Sequence, residues 1–185
     1  MKYITLNILC LIGFVLLASF AGPKLKPVKI TPTLTVSLPK DFTIMPDDAI
    51  ANKYPAPRKP LGAYTSPDGH IDFVANERAS TFKGDDLKML REFYKASILS
   101  KYSEVKFIRE EVKNINKQEY IVFEFTSAVR DEEKRTKLAP IRKYTIVQYT
   151  IVNDKLLVFT FNAPIDLKEA WQTTANKIMQ SIKLS

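Results

Sequence analysis

Apolar residues recur with two different periods along this chain, and each change of period marks an element. Leu34, Val36 and Leu38 alternate with Thr33, Thr35 and Ser37, which predicts a strand over Thr33–Leu38. Pro39-Lys40-Asp41 reads as a turn, and Phe42–Met45 can return as a second strand. Asp47–Pro60 keeps no sustained period and is expected to be a long loop able to hold one helical turn. Leu61–Thr65 and His70–Ala75 read as short strands around Ser66-Pro67-Asp68-Gly69. There proline sets φ and glycine accepts a positive φ. Period 3.6 then takes over. Leu87, Leu90, Tyr94 and Ile98 fall on one stripe, with Phe93 beside it, so a helix is predicted from Asp85 or Asp86 to about Tyr102.

Four longer strands follow, at Lys106–Val112, Glu119–Val129, Ile141–Val152 and Lys155–Ala163. Asn114–Lys117 and Asn153-Asp154 offer tight turns between them. Asp166-Leu-Lys-Glu169 fits a capping box for a last helix, whose stripe is Leu167, Ala170, Trp171, Ala175, Ile178, Met179 and Ile182. Both faces of Ile141–Val152 carry apolar side chains: Ile141, Val147 and Ile151 on one, Tyr144, Ile146 and Val152 on the other. A sheet with one wet face would alternate more cleanly. The expectation is therefore α+β: an antiparallel sheet of about six strands covered by two main helices, an α/β/α sandwich without βαβ crossovers or internal repeats.

The front of the chain is different. Nine of its eleven prolines lie between Pro23 and Pro67. Met1-Lys2 opens an apolar run, Ile4–Phe20, and Ser19-Phe20-Ala21 places small residues where a signal peptidase reads. Residues 1–21 are expected to be a secretory signal cut after Ala21. The alternative is an uncleaved anchor, since such a run is at the lower edge of a membrane span. Lys24, Lys26 and Lys29 just after it count against carrying that end outward. Cys10 has no lipoprotein box around it. Residues 22–32, rich in Lys and Pro, are expected to be a flexible lead, and residues 33–185 a single α+β domain. Loss of Lys2 takes the net charge from +8 to +7.

Several short motifs bear a family likeness. Leu38-Pro39-Lys40-Asp41-Phe42 resembles the early Leu-Pro-x-x-aromatic turn of the PsbP-like superfamily, with Phe42 where Trp is common. Tyr64-Thr65-Ser66-Pro67 with Ile71 and Phe73 resembles its second hairpin. Trp171 with Ile178, Ser181 and Ile182 resembles its closing helix. The likeness spans Thr33–Ser185. That fold is shared by extrinsic photosystem subunits, a nuclear Ran-GTPase release factor and exported bacterial proteins of the DcrB type. The resemblance implies the fold and an exported compartment. It leaves the partner open, because one fold hosts many functions.

Candidate chemistry is sparse. One His and one Cys leave no His-rich metal site and no internal disulfide. The few glycines make neither a nucleophile elbow nor a phosphate loop. His70 reads as a surface turn residue, and Asp68, Asp72, Asp85 and Asp86 as turn or cap residues, since the calcium-loop spacing is absent. Glu110 and Glu111, adjacent on a strand, point to opposite faces. Glu132-Glu133 lies in a mixed charge run expected to be a solvated loop. Basic residues are spread along the chain, which argues against nucleic acid. No catalytic residue, cofactor or metal is assigned.

The one local bias is Lys53-Tyr54-Pro55-Ala56-Pro57-Arg58-Lys59-Pro60, with three positive charges and no acid. Lys53, Tyr54, Arg58 and Lys59 are the partner-binding candidates. The reading that follows is an exported, periplasmic or secreted, non-catalytic binding or accessory module of the cell envelope, whose partner is an unknown envelope protein or an anionic surface. A membrane is involved only through the signal segment if it stays uncleaved. Two alternatives stay open: a small hydrolase-like envelope enzyme with a Lys, Asp, Glu or Ser site, and an apolar-ligand carrier.

Overall fold

A computed structural model describes residues 22–80, 82, 87–129 and 140–185. The leader, Asp85, Asp86 and the Glu132-Glu133 run lie outside them. The described elements are β1 (Leu25–Thr31), β2 (Leu34–Pro39), β3 (Thr43–Ile44), α1 (Asp47–Lys53), β4 (Gly62–Thr65), β5 (Asp72–Ala79), α2 (Leu87–Lys101), β6 (Glu104–Ile115), β7 (Gln118–Val129), β8 (Ile141–Val152), β9 (Lys155–Pro164), α3 (Lys168–Gln180) and β10 (Lys183–Leu184). Strands β3-β4-β5-β9-β8-β7-β6 form the main sheet and β1-β2-β10 a smaller one. All pairings are antiparallel.

The long hairpins owe their register to their turns. Asn116 and Lys117 both take positive φ between β6 and β7, as do Asn153 and Asp154 between β8 and β9. Two successive left-handed residues match the twist of the flanking strands. Gly69 is at φ +70 in the Pro67–His70 turn, the role its sequence context assigned.

The main sheet is buried on both faces. On one face Phe73, Tyr120, Val122, Tyr144, Ile146, Phe159 and Phe161 pack under α3 and β2, through Ala175, Ile178, Met179, Val36 and Leu38. On the other, Ile121, Phe123, Phe125, Val147 and Tyr149 pack under α2, through Leu90 and Ile98. A smaller cluster, Met45, Ala63 and Val74, lies beneath α1. The period-two residues of β7 and β8 thus feed two cores, which is why neither strand alternates cleanly.

Four expectations need correction. The Lys/Pro-rich lead is not free: β1 pairs with β2 from Leu25↔Pro39 to Thr31↔Leu34. Val28 and Ile30 turn inward there. β1 is an edge strand, where Pro27 costs no interior ladder bond. β3 pairs with β4 rather than returning on β2. Asp47–Lys53 is a two-turn helix, with Asp47 and Asp48 in its first turn and Lys53 in its last, matching the helix dipole. The capping box at Asp166 does not form. Pro164 leads into a 3-10 turn, Ile165–Leu167, and α3 starts without a side-chain cap.

Trp171 is only half-buried, packed on Phe42 and Phe161 with ring centroids 5.9 and 6.2 Å away. Ala170, expected in the same stripe, is exposed.

Candidate functional site

The expected loop at Lys53 begins as the C-terminal end of α1, and its first two residues, exposed Lys53 and half-buried Tyr54, reach back to a buried carboxylate. Asp72 opens β5 as a buried residue, not a turn residue. Its Oδ1 accepts from Thr65 Oγ1 at 2.6 Å, and its Oδ2 accepts from Tyr54 Oη at 2.9 Å. Lys53 Nζ lies 3.2 and 3.1 Å from the two oxygens and also donates to the Gly69 carbonyl at 2.5 Å. Tyr54 Oη in turn accepts from Asn162 Nδ2 at 3.1 Å, and Asn162 Oδ1 accepts from Thr145 Oγ1 at 2.8 Å. Burial first, and then the Asp72 charge, push the Tyr54 hydroxyl far above its ordinary pKa, so it stays a protonated donor.

The remaining candidates face outward. Pro55, Ala56, Pro57, Arg58 and Lys59 are exposed, and the chain re-enters the core at Leu61. Lys59 Nζ reaches Asp47 Oδ2 at 2.6 Å, a pair open to water on both sides. Exposed pairs of this type contribute about 0–1 kcal/mol. A proline-rich span with two cations is therefore held at one end by a polar latch and at the other by apolar packing. Lys53 and Tyr54 belong to the latch, and Arg58 and Lys59 to the presented surface. The missed partner is Asp72. Its signal is its distance from any helix start and its place at the head of an apolar strand, where a carboxylate needs donors.

A second polar network lies beneath α3. Glu124, buried on β7, accepts from Tyr144 Oη at 2.7 Å and Gln172 Nε2 at 2.6 Å. Its other oxygen is 2.8 Å from Arg109 Nη2, which also donates to Asn176 Oδ1 at 2.5 Å. Glu111 lies 3.4 Å from Arg109 Nη1, whereas Glu110 faces the other way and pairs with Lys95 of α2 at 2.8 Å. The opposite-face reading of Glu110 and Glu111 thus holds. Both Glu124 oxygens are engaged by donors, an arrangement suited to cross-linking sheet and helix.

His70 is exposed, and its backbone N–H donates to Asp68 Oδ1 at 3.0 Å. Asp68 serves the turn as expected, and its hydrogen bonds from Ser66 and His70 lower its pKa. Among the described residues no three of His, Cys, Asp and Glu converge as metal ligands. A shallow depression of about 50 Å³ is lined by Glu104, Thr126, Ser127, Ala128, Arg142 and Ile165, far below the size of a small-molecule site.

No protein-family model and no curated protein sequence matches this chain. Solved structures do match it. The cyanobacterial PsbP (CyanoP) of Synechocystis sp. PCC 6803 aligns over 90% of this chain and 96% of its own, at 12% identity and a TM-score of 0.57. The fold is PsbP-like. LpqN of Mycobacterium tuberculosis, involved in cell envelope biogenesis, matches at 11% identity and TM-score 0.57 over 88% of this chain and 91% of its own. The Ran-binding protein Mog1p of Saccharomyces cerevisiae does so at 13% and 0.57, over 88% and 96%. These likenesses establish the PsbP-like architecture expected from the Leu38–Phe42, Tyr64–Phe73 and Trp171–Ile182 motifs. Among the described residues no helix is long and apolar enough to cross a membrane.

Proposed function

We propose that this PsbP-like chain is an exported, non-catalytic binding or accessory module of the periplasm or cell envelope, with residues 1–21 removed as a signal. Its partner is an acidic envelope protein or another anionic surface, met through the span that carries Arg58 and Lys59. The observation that carries this reading is the Asp72 latch. It spends Lys53 and Tyr54 on fixing the start of the span and leaves Arg58 and Lys59 on its exposed stretch. A span fixed in advance loses less entropy on binding. LpqN and Mog1p, whose names tie them to envelope biogenesis and to Ran, lend the non-catalytic reading support by analogy of fold alone.

The test is a double reversal, Arg58→Glu with Lys59→Glu, which leaves the latch intact. Bait protein is used to capture partners from the native envelope fraction at low and high salt. Loss of the salt-sensitive partners is expected, because screening weakens exposed charge attraction. Recovery of the same partners with the same salt dependence would reduce the span to a connector.

A further inference from the structure

β6 closes one end of the main sheet. One side of its backbone pairs with β7, and among the described residues no strand lies along the other. Exposed edges invite pairing, and proteins blunt them with bulges and charges. In β6 the register breaks between Phe107 and Arg109, so the bulge guards only the first half, and the second is left to its charged side chains alone. From Arg109↔Glu124 to Ile115↔Gln118 the ladder is regular. This segment reads Arg-Glu-Glu-Val-Lys-Asn-Ile, and Val112 at its centre is 43% exposed.

We propose that the Arg109–Ile115 edge of β6 pairs antiparallel with the same edge of a second copy, about a two-fold axis through Val112. A two-fold axis that continues the sheet keeps each face continuous, so only residues of one face can stand opposite each other. Centred on Val112, Glu111 of each copy faces Lys113 of the other, on the α3 side. Val112 meets Val112 on the α2 side, Glu110 meets Asn114, and Arg109 meets Ile115. The whole regular segment is matched, and no like charges stand opposite. A register centred on Glu111 sets Glu111 against itself and Arg109 against Lys113. One centred on Glu110 or Lys113 opposes that residue to its own copy. Opposite charges across strands stabilise and like charges destabilise, so the Val112 register is the complementary one. β3 and β4 lie at the far end of the sheet, so such a dimer carries its two Arg58/Lys59 spans at its outer ends. That geometry favours bivalent attachment to a repeating surface.

The test uses the paired substitutions Val112→Lys and Val112→Glu, studied separately and mixed, by sedimentation over a concentration series. The wild type is expected to dimerise. Each variant alone should raise the dimerisation midpoint by at least about tenfold, and the equimolar mixture should recover a heterodimer. Independently, Glu111→Lys and Lys113→Glu should each weaken the dimer, and the double swap should restore it. A wild type that stays monomeric to about 1 mM overturns the proposal. So does a dimer indifferent to Val112, or a double swap no better than either single variant.

Discussion

Asp72 and Glu124 are buried carboxylates on opposite faces of one sheet, each met by a tyrosine hydroxyl and a cation, yet they hold very different things. Glu124 is met by Arg109, Tyr144 and Gln172, so it ties β6, β7, β8 and α3 into the larger core. Asp72 is met by Thr65, Tyr54 and Lys53, and the Lys53 side chain is 39% exposed. What it holds is α1, a helix with no fully buried residue of its own. Removing the first should unsettle the whole molecule. Removing the second should release one corner of it. Local opening of this kind is how parts of a fold differ in stability.

The sharpest way to break the comparison is Glu124→Ala. It leaves Arg109 half-buried without its main counter-charge and strands the Tyr144 and Gln172 donors. Removal of one member of such a network costs about 3–5 kcal/mol, and the loss should appear in the midpoint of a single cooperative denaturant transition. Asp72→Ala should cost less, about 1–3 kcal/mol, because water can take over the exposed ammonium. Hydrogen exchange separates the two: Asp72→Ala should speed exchange in α1 and the span after it far more than in β7 or β8. A uniform loss of protection would mean the latch is part of the global core.

A pH titration sharpens the same contrast. Burial, reinforced by Asp72 for Tyr54 and by Glu124 for Tyr144, raises both hydroxyls far above the ordinary tyrosine value of 10.0. A folded-state pKa above the unfolded one gives stability that is complete below the unfolded pKa and lost as pH rises past it. The melting temperature should therefore be insensitive to these groups up to about pH 9.5 and fall above about pH 10. Tyr144→Phe should flatten that alkaline fall while costing about 1.5–3 kcal/mol at neutral pH, the range for a hydrogen bond to a charged group. An unchanged alkaline slope in Tyr144→Phe would place the titrating group elsewhere.

The parts of this molecule legible in the sequence are those fixed by near neighbours. Asn114–Lys117 and Asn153-Asp154 announce turns, so β7, β8 and β9 fall within a residue of their expected bounds, whereas β6 extends beyond the expected Lys106–Val112 to Glu104–Ile115 and takes Asn114 and Ile115 into the strand. The Leu87–Ile98 stripe announces α2 in the same way. The lead and the Asp47–Lys53 helix are legible only in hindsight. β1 carries too many Lys and Pro residues for its alternation to stand out. α1 is too short to form by its own propensity and needs partners from β4 and β5. The Glu124 network is hidden for a related reason: Glu124 meets Gln172 and Arg109 meets Asn176 across 48 and 67 positions, and even the Asp72 latch draws Tyr54 and Lys53 from 18 and 19 positions away. No local pattern encodes such a pair. Lys53, Tyr54, Arg58 and Lys59 read as one basic run in the sequence, and only the fold divides them into latch and surface.

The smallest expected effect tests whether the hydroxyl or the ring matters under α3. Tyr120 and Tyr144 are both fully buried on the same face of the sheet. Tyr144 donates to Glu124, whereas among the described residues the Tyr120 hydroxyl has no hydrogen-bond partner, and neither has Gln148 Oε1 on the same face of the adjacent strand. The Tyr120 ring packs against Phe159, with centroids 6.2 Å apart. Tyr120→Phe keeps that ring and removes a buried donor that no described protein group accepts from. An unsatisfied buried donor carries a penalty of about 1–3 kcal/mol, so its deletion should be neutral or stabilising. For a domain of this size 1 kcal/mol corresponds to about 2–4 °C in melting temperature. Tyr120→Phe should thus melt at or slightly above the wild type, while Tyr144→Phe melts several degrees below. If Tyr120→Phe instead falls by a comparable margin, its hydroxyl is satisfied in solution. A water bridging Tyr120 to Gln148 would then make this a third polar link in the α3 core, and Gln148→Leu should lower the melting temperature in the wild type but much less in Tyr120→Phe.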